Sequence, residues 1–428
     1  MALLLLVLLC FAGGAGAAAE PPRSPATALF VLGDSTVGCA ATASGRILPL
    51  NLTTTAAALP SSLSGGPCLF FPASRRRLPD LLAARMGLPS PPPISALNGT
   101  ASEAARGVNF GGGGGQLLFY GGGEGGSSPW SSVFRLGSVG QQVRLASETL
   151  QLLQLEAAAP GEGESSAAVF VLSFGADAYA RLLARGNAEA DAAAPKHGRR
   201  GFARLLADRV ARAVSVRTRA LLSSHAVRRT NALTRVMRRC GAVLPAAAGC
   251  ACVQELYEAG VRRVAVMGVP PLGCAPRVMW EQIPARDGGG CVEEANELIE
   301  AYNGRLAARL DDLRPLLTGA DLVFCDVYKG MMEIISNPAT YGLEETREAC
   351  CGLGPLRATV GCVSKEMACG TPERHVWWDL YTPTEAADDL VANWSWTSSS
   401  SDSGAGATSI CRPISLQQLA AGSPPAEV

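Results

Sequence analysis

Four short apolar runs, each closing on a turn that carries polar residues, limit what this chain can fold into. Ala28 to Leu32 ends in Gly33-Asp34-Ser35, and Ala168 to Phe174 ends in Gly175-Ala176-Asp177. Arg263 to Met267 ends in Gly268, and Leu322 to Cys325 ends in Asp326. Apolar runs this short, without polar alternation and bounded by turns, read as strands buried on both faces of a parallel sheet. Helical patterns lie between them. From Glu293 to Leu313, Ala295, Leu298, Ile299, Tyr302, Leu306, Leu310 and Leu313 follow a spacing near 3.6, with charges opposite. Strand and helix in alternation predict an α/β fold with helices on both faces of the sheet. Ligands of such sheets gather at the carboxyl ends of the strands, where both the Ser35 turn and the Asp177 turn fall.

With 428 residues, 48% of them hydrophobic, the chain can bury one large core or two smaller ones. Lysine plus arginine balances aspartate plus glutamate at 37 each, so no overall positive field argues for nucleic acid. Leu3 to Phe11 is an apolar run too brief to span a bilayer, and Ala17-Ala18-Ala19 before Glu20 supplies small residues for cleavage. Residues 1–19 therefore read as a secretory signal peptide. No later stretch is long and apolar enough for an integral membrane segment, so a secreted, extracellular protein is expected. In an oxidising compartment the 14 cysteines become disulfide candidates, Cys39 with Cys68 and Cys274 with Cys291 among them. Cys350, Cys351, Cys362 and Cys369 admit a zinc reading. Without a paired C-x2-C spacing or a histidine, disulfides of undecided connectivity fit better. Glycosylation sequons begin at Asn51, Asn98 and Asn393.

Residues 215–253 stand apart. They hold seven arginines, His225, Cys240, Cys250 and Cys252, and no acidic residue. An RNA-binding arm of this kind would carry aromatic residues for stacking, and none is present. With the segment removed, Phe202, Leu206, Val210 and Ala213 run on into Leu256 and Tyr257 in one helical period, ending at Gly260. We read 215–253 as an interruption of one amphipathic helix, a retained intron or gene-model error, inside a single domain spanning 27–421. Ser398 to Gly406 reads as a flexible linker before a short helix at Leu416 to Ala421.

Three blocks carry residues with chemical potential. Ser35 follows a strand directly, so its hydroxyl can stand at the sheet edge as a nucleophile while its own N–H helps to hold an oxyanion. Taken alone, Gly-Asp-Ser is a common structural turn. Gly107-Val108-Asn109-Phe110 leads into Gly111 to Gly115, whose amides can approach a substrate oxygen without Cβ obstruction. On its own, such a run is a loop. Near the C-terminus Asp379 precedes Thr382 by three residues; an Asp-x-x-His there would place an orienting carboxylate and a base within one turn.

Together the blocks resemble the plant GDSL esterase/lipase family, a branch of the SGNH hydrolases. The most specific match is Gly260-Val261-Arg262-Arg263-Val264-Ala265-Val266-Met267-Gly268-Val269-Pro270-Pro271-Leu272-Gly273-Cys274-Ala275-Pro276, supported by Asn337-Pro338 through Tyr341-Gly342 to Cys350-Cys351-Gly352. The resemblance covers roughly Ala28 to Trp394. It implies a three-layer α/β/α sandwich of flavodoxin-like type and hydrolysis of small-molecule or lipid carboxylic esters, with no cofactor and no metal. By position, Ser35 matches the nucleophile, Gly113 an oxyanion N–H donor and Asp379 the triad acid. Two positions depart. Asp177 stands where the family has its oxyanion asparagine, and Thr382 stands where it has histidine. Threonine cannot accept the Ser35 proton near neutral pH, and an ionised Asp177 would repel an oxyanion. His375, four residues before Asp379, is the remaining imidazole near that block. Two readings follow: a secreted esterase acting on lipid or acylated cell-wall esters, and a non-catalytic acyl- or glycan-binding protein on the same scaffold.

Overall fold

The computed structural model describes residues 25–38, 75–97, 100–112, 139–156, 167–184, 256–282, 290–362, 364–397 and 409–422. The signal segment, residues 215–253, the linker after Ser398, Gly113, Cys39 with Cys68, and the sequons at Asn51 and Asn98 lie outside these. Strands β1 (Leu29–Gly33), β2 (Val169–Ser173), β3 (Arg263–Met267) and β4 (Asp321–Cys325) pair in parallel in that order. The short β7 (Cys411–Arg412) adds antiparallel to β4. β1, β2 and β3 are buried along their whole length, so their apolar runs face packing on both sides. Among the described residues the result is a mostly parallel central sheet with helices, the α/β fold expected.

β1 is not an edge. Residues 106–110 run beside it: Val31 N–H reaches the Val108 carbonyl at 2.9 Å, and Phe110 N–H reaches the Val31 carbonyl at 2.8 Å. The chain leaves β1 toward one side for this segment and returns to the other side for β2. The carboxyl end of β1 is thus a topological switch point, where a crevice opens in sheets of this type.

The helices are α1 (Leu78–Arg85), α2 (Val139–Glu156), α3 (Ala176–Ala184), α4 (Pro276–Gln282), α5 (Glu293–Leu313), α6 (Val327–Ser336), α7 (Glu385–Trp396) and α8 (Leu416–Ala421). Local chemistry sets several starts. Asp326 accepts from Lys329 N–H at α6, Thr384 from Ala387 N–H at α7, and Ser415 forms a capping box with Gln418 at α8. α5 buries the predicted apolar face and adds two polar residues to it. Asn303 exchanges two hydrogen bonds with the Val269 backbone at 2.8 and 2.9 Å, and Asn296 accepts from Gly273 N–H at 2.9 Å. The Gly260–Pro276 run is therefore a backbone that α5 must grip, which gives its residues a packing role.

A second sheet pairs β5 (Glu345–Ala349) with β6 (His375–Trp377) in parallel. Disulfides staple this region and the tail: Cys350–Cys369, Cys351–Cys362, Cys274–Cys291 and Cys325–Cys411. The Cys350 to Cys369 cluster is thus disulfide-bonded, as expected over zinc. Its expected lack of a histidine is corrected by the structure, because His375 Nδ1 lies 3.6 Å from Cys369 Sγ. Among the described residues, no helix is long and apolar enough to cross a membrane. Asn393 is exposed on α7, while the hydroxyl of its sequon partner Ser395 is buried against the Val391 carbonyl.

Candidate active site

Two turns meet where β1 and β2 end. Gly33, the last residue of β1, is clamped by buried Gln142 of α2, which accepts from Gly33 N–H at 2.7 Å and donates to its carbonyl at 2.8 Å. The chain then turns through Asp34, Ser35 and Thr36. Across from it, β2 ends at Ser173, and Gly175 takes φ +123°, a value open to glycine, so that α3 can start at Ala176. Asp177 sits in the first turn of α3, where the helix dipole favours negative charge.

The two turns are joined by carboxylates reaching in both directions. Buried Asp34 accepts from Gly175 N–H at 2.9 Å and Asp177 N–H at 3.2 Å. Its other oxygen accepts from Thr36 N–H at 3.2 Å and meets Thr36 Oγ1 at 2.7 Å. In return, the Ser35 hydroxyl donates directly to Asp177 Oδ1, and Ser35 N–H donates to Asp177 Oδ2 at 3.3 Å. Burial, then the Asp177 charge, push the Asp34 carboxyl up to about 7. Thr36 Oγ1 also meets Ser173 Oγ at 2.9 Å, which extends the polar chain from Asp34.

Arg77, just before α1, enters from a third side. It is half-buried and donates to the Ser35 carbonyl at 2.8 Å. Burial draws its guanidinium below the usual range, against the charges of Asp379, Asp388, Asp80 and Asp177. It links the Ser35 turn to the C-terminal block. Beside it, Arg75 stacks over the Trp378 ring at 3.8 Å. Asp388 on α7 is also buried, and burial pushes its carboxyl up to about 7, although Arg77 and the Leu78 amide oppose the shift.

Ser35 and Asp177 are thus in contact, while Asp379 and Thr382 form one tight turn. Asp379 Oδ1 accepts from Tyr381 N–H at 3.2 Å and Thr382 N–H at 2.9 Å, and the Thr382 carbonyl accepts from Trp378 N–H at 2.7 Å. His375 lies at the opposite end of β6 from this turn. Its Nδ1 faces the Thr371 carbonyl at 2.9 Å and the Cys369 sulfur. Gly113 falls just beyond the described residues. Its neighbours Gly111 and Gly112 lie in the site, with their N–H groups on Asn109 Oδ1 and the Gly33 carbonyl. Reading the sequence missed Asp34, Arg77 and Asp388. Three successive arginines before a helix were the available signal for Arg77.

The structure thus brings Ser35, Asp177, Asp34 and Arg77 together at the carboxyl end of β1. The family model for GDSL-like lipase/acylhydrolase matches residues 29–395. The chain belongs to that family. Its curated relatives are similar over shorter stretches. GDSL esterase/lipase At5g08460 of Arabidopsis thaliana is 36% identical over 168 residues, 39% of this chain and 41% of that protein. GDSL esterase/lipase EXL3 of the same plant is 40% identical over 136 residues, 31% of this chain and 36% of that protein. The chain spans about two fifths of the length of the curated relatives it matches.

Proposed function

We propose that this GDSL-family chain is a secreted carboxylic-ester hydrolase that attacks its substrate through Ser35. One observation carries the reading: the Ser35 hydroxyl stands at the carboxyl end of β1, at the switch point of the sheet, already donating to an ionisable acceptor. The substrates that suit this scaffold are lipid esters or acylated cell-wall esters. In this reading residues 1–19 are removed as a signal peptide, the mature chain forms one domain over 27–421, and residues 215–253 interrupt one of its helices. By its position in the family pattern, Gly113 is the oxyanion N–H donor in this reading.

Thr382 favours a second reading. Loss of the imidazole from a serine triad costs about 10⁶-fold in rate, and roughly 10³–10⁴-fold over water survives from binding and the oxyanion hole. A protein at that floor would serve as a non-catalytic acyl or glycan binder. Purified chain with and without Ser35→Ala, treated with a fluorophosphonate and with short- and long-chain nitrophenyl esters, separates the two. Labelling and turnover that vanish with Ser35→Ala support the hydrolase. Ester binding without either supports the binder.

A further inference from the structure

We propose that Asp177 is the proton acceptor for Ser35, so that nucleophile and base form a serine–carboxylate dyad without histidine. The inference rests on the hydrolase reading and assigns its missing part.

The geometry comes first. Asp177 Oδ1 receives the Ser35 hydroxyl directly, and Oδ2 receives the Ser35 amide at 3.3 Å. The side chain that replaces the family's amide donor therefore holds the hydrogen that must leave. It is held there from behind: the Asp177 N–H is fixed by Asp34 Oδ2 at 3.2 Å, and Gly175 N–H by the same oxygen at 2.9 Å. The acceptor cannot drift from the nucleophile without breaking the clasp between the turns. At the other turn, threonine has no basic atom, and the hydrogen bonds of Asp379 Oδ1 go to two amides of its own turn, not to Ser35.

Charged groups meet Asp177 from two elements. Asp34 faces it from the Ser35 turn and Arg77 from the start of α1; Asp80, Asp379 and Asp388 share Arg77 with it. Burial, then the Asp177 charge, push the Asp34 carboxyl up to about 7, while Thr36 Oγ1 donates to it.

The step balances. The Ser35 Oγ lone pair forms a bond to the acyl carbon, the Oγ hydrogen moves to Asp177 Oδ1, and the carbonyl π pair moves to oxygen. Collapse breaks the bond to the alkoxy group, which takes the proton from Asp177 and leaves as the alcohol. Water repeats the sequence on the acyl-serine: its proton passes to Asp177, the acid departs, and Oγ recovers its hydrogen.

Asp177→Asn is the deciding variant, because it keeps the shape and removes the basicity. Positioned general bases contribute typically 10²–10⁴-fold. Fluorophosphonate labelling of Ser35 and ester turnover should fall by about that factor, with the melting temperature held within a few degrees. An Asn variant as fast as wild type, or faster, overturns the dyad and shows that the carboxylate obstructed an oxyanion site. The wild-type pH profile gives an independent arm that needs no variant to fold. Carboxylates as a class ionise near pH 4 and imidazole near 6.5. Labelling lost on acidification supports the dyad; labelling unchanged across the acid range overturns it. Labelling lost in Ser35→Ala but retained in Asp177→Asn sinks the dyad alone. Wild-type protein that neither labels nor turns over sinks both readings.

Discussion

The buried carboxyl of Asp388 makes the stability of this protein fall as pH rises, and Asp388→Asn isolates the effect. Asp388 lies on the inner face of α7, 8% exposed, where its carboxyl accepts from the Leu78 amide at the start of α1 and faces Arg77. Desolvation is the largest influence on it and lifts it from 3.8 to about 7 in the folded protein. In the unfolded chain an aspartate titrates near its ordinary value of about 3.9. The folded state therefore binds the proton more tightly throughout the interval between. Where the native state holds more protons than the unfolded state, unfolding free energy decreases with pH. The contribution is fully present below about pH 4 and is lost as pH passes 7. Three pH units at about 1.4 kcal/mol each give on the order of 4 kcal/mol across the window, of which the larger part falls between pH 5 and pH 8. Asp34 has the same sign but is common to both proteins. Urea unfolding of wild type and Asp388→Asn, disulfides oxidised, at pH 5, 6, 7 and 8 reads the difference. The asparagine carbonyl still accepts from Leu78, so packing is retained while the titration is removed. Wild type should lose about 2–3 kcal/mol more than the variant over that range. Parallel curves would refute the reasoning, and a wild type that gains stability with pH relative to the variant would reverse its sign.

Three further outcomes follow from the geometry. Gly107 has φ +119°, and a Cβ there would stand 2.0 Å from the Leu29 carbonyl oxygen, so Gly107→Ala should push residues 106–110 off β1 and cost roughly 3 kcal/mol or more by chemical denaturation. Cys325–Cys411 closes a loop with a sequence separation of 86, so replacing both with serine should remove about 4–5 kcal/mol and expose the 409–422 segment to protease first. Combining Thr382→His with Asp177→Asn restores the family pattern at both departures; ester turnover in the double variant should exceed that of Asp177→Asn by about 10²-fold or more, because the imidazole then supplies the lost acceptor.

Much of the architecture could be read from local pattern. Arg263 to Met267 and Glu293 to Leu313 form their strand and helix with the predicted limits, because β-branched runs and a 3.6-residue apolar period carry their own signal. The terminal helix at Leu416–Ala421 has a capping box to announce it. β5 was illegible: Glu345, Thr346, Arg347 and Glu348 carry no apolar alternation, and β5 exists because β6 and the disulfides hold it. β7 is two residues set by pairing with β4 and by Cys325–Cys411. At the site, Ser35 and Asp177 could be named from their turns, but their contact depends on Asp34 spanning them, a register between turns 141 residues apart. Arg77 was hidden for the same reason, since in sequence it looks like its neighbours Arg75, half-buried against Trp378, and Arg76, exposed.

The two departures from the family pattern make more physical sense together than apart. Thr382 alone removes the only good proton acceptor, at about 10⁶-fold in a comparable triad. An aspartate replacing an oxyanion amide alone costs roughly 10²–10³-fold, and more if its charge faces the developing oxyanion. Taken as independent losses they would leave nothing for which a serine need be held at the switch point. In the fold, however, the second change introduces an acceptor onto the atom that the first change deprived of one, and Arg77 with the α3 N-terminus offsets its charge. In the structure the Ser35 amide is held by Asp177 Oδ2, and the Gly111 and Gly112 amides by Asn109 Oδ1 and the Gly33 carbonyl, so an oxyanion must displace one of these acceptors. In the proposed dyad the pair of changes replaces an imidazole base with a carboxylate, and it requires both substitutions in the same chain.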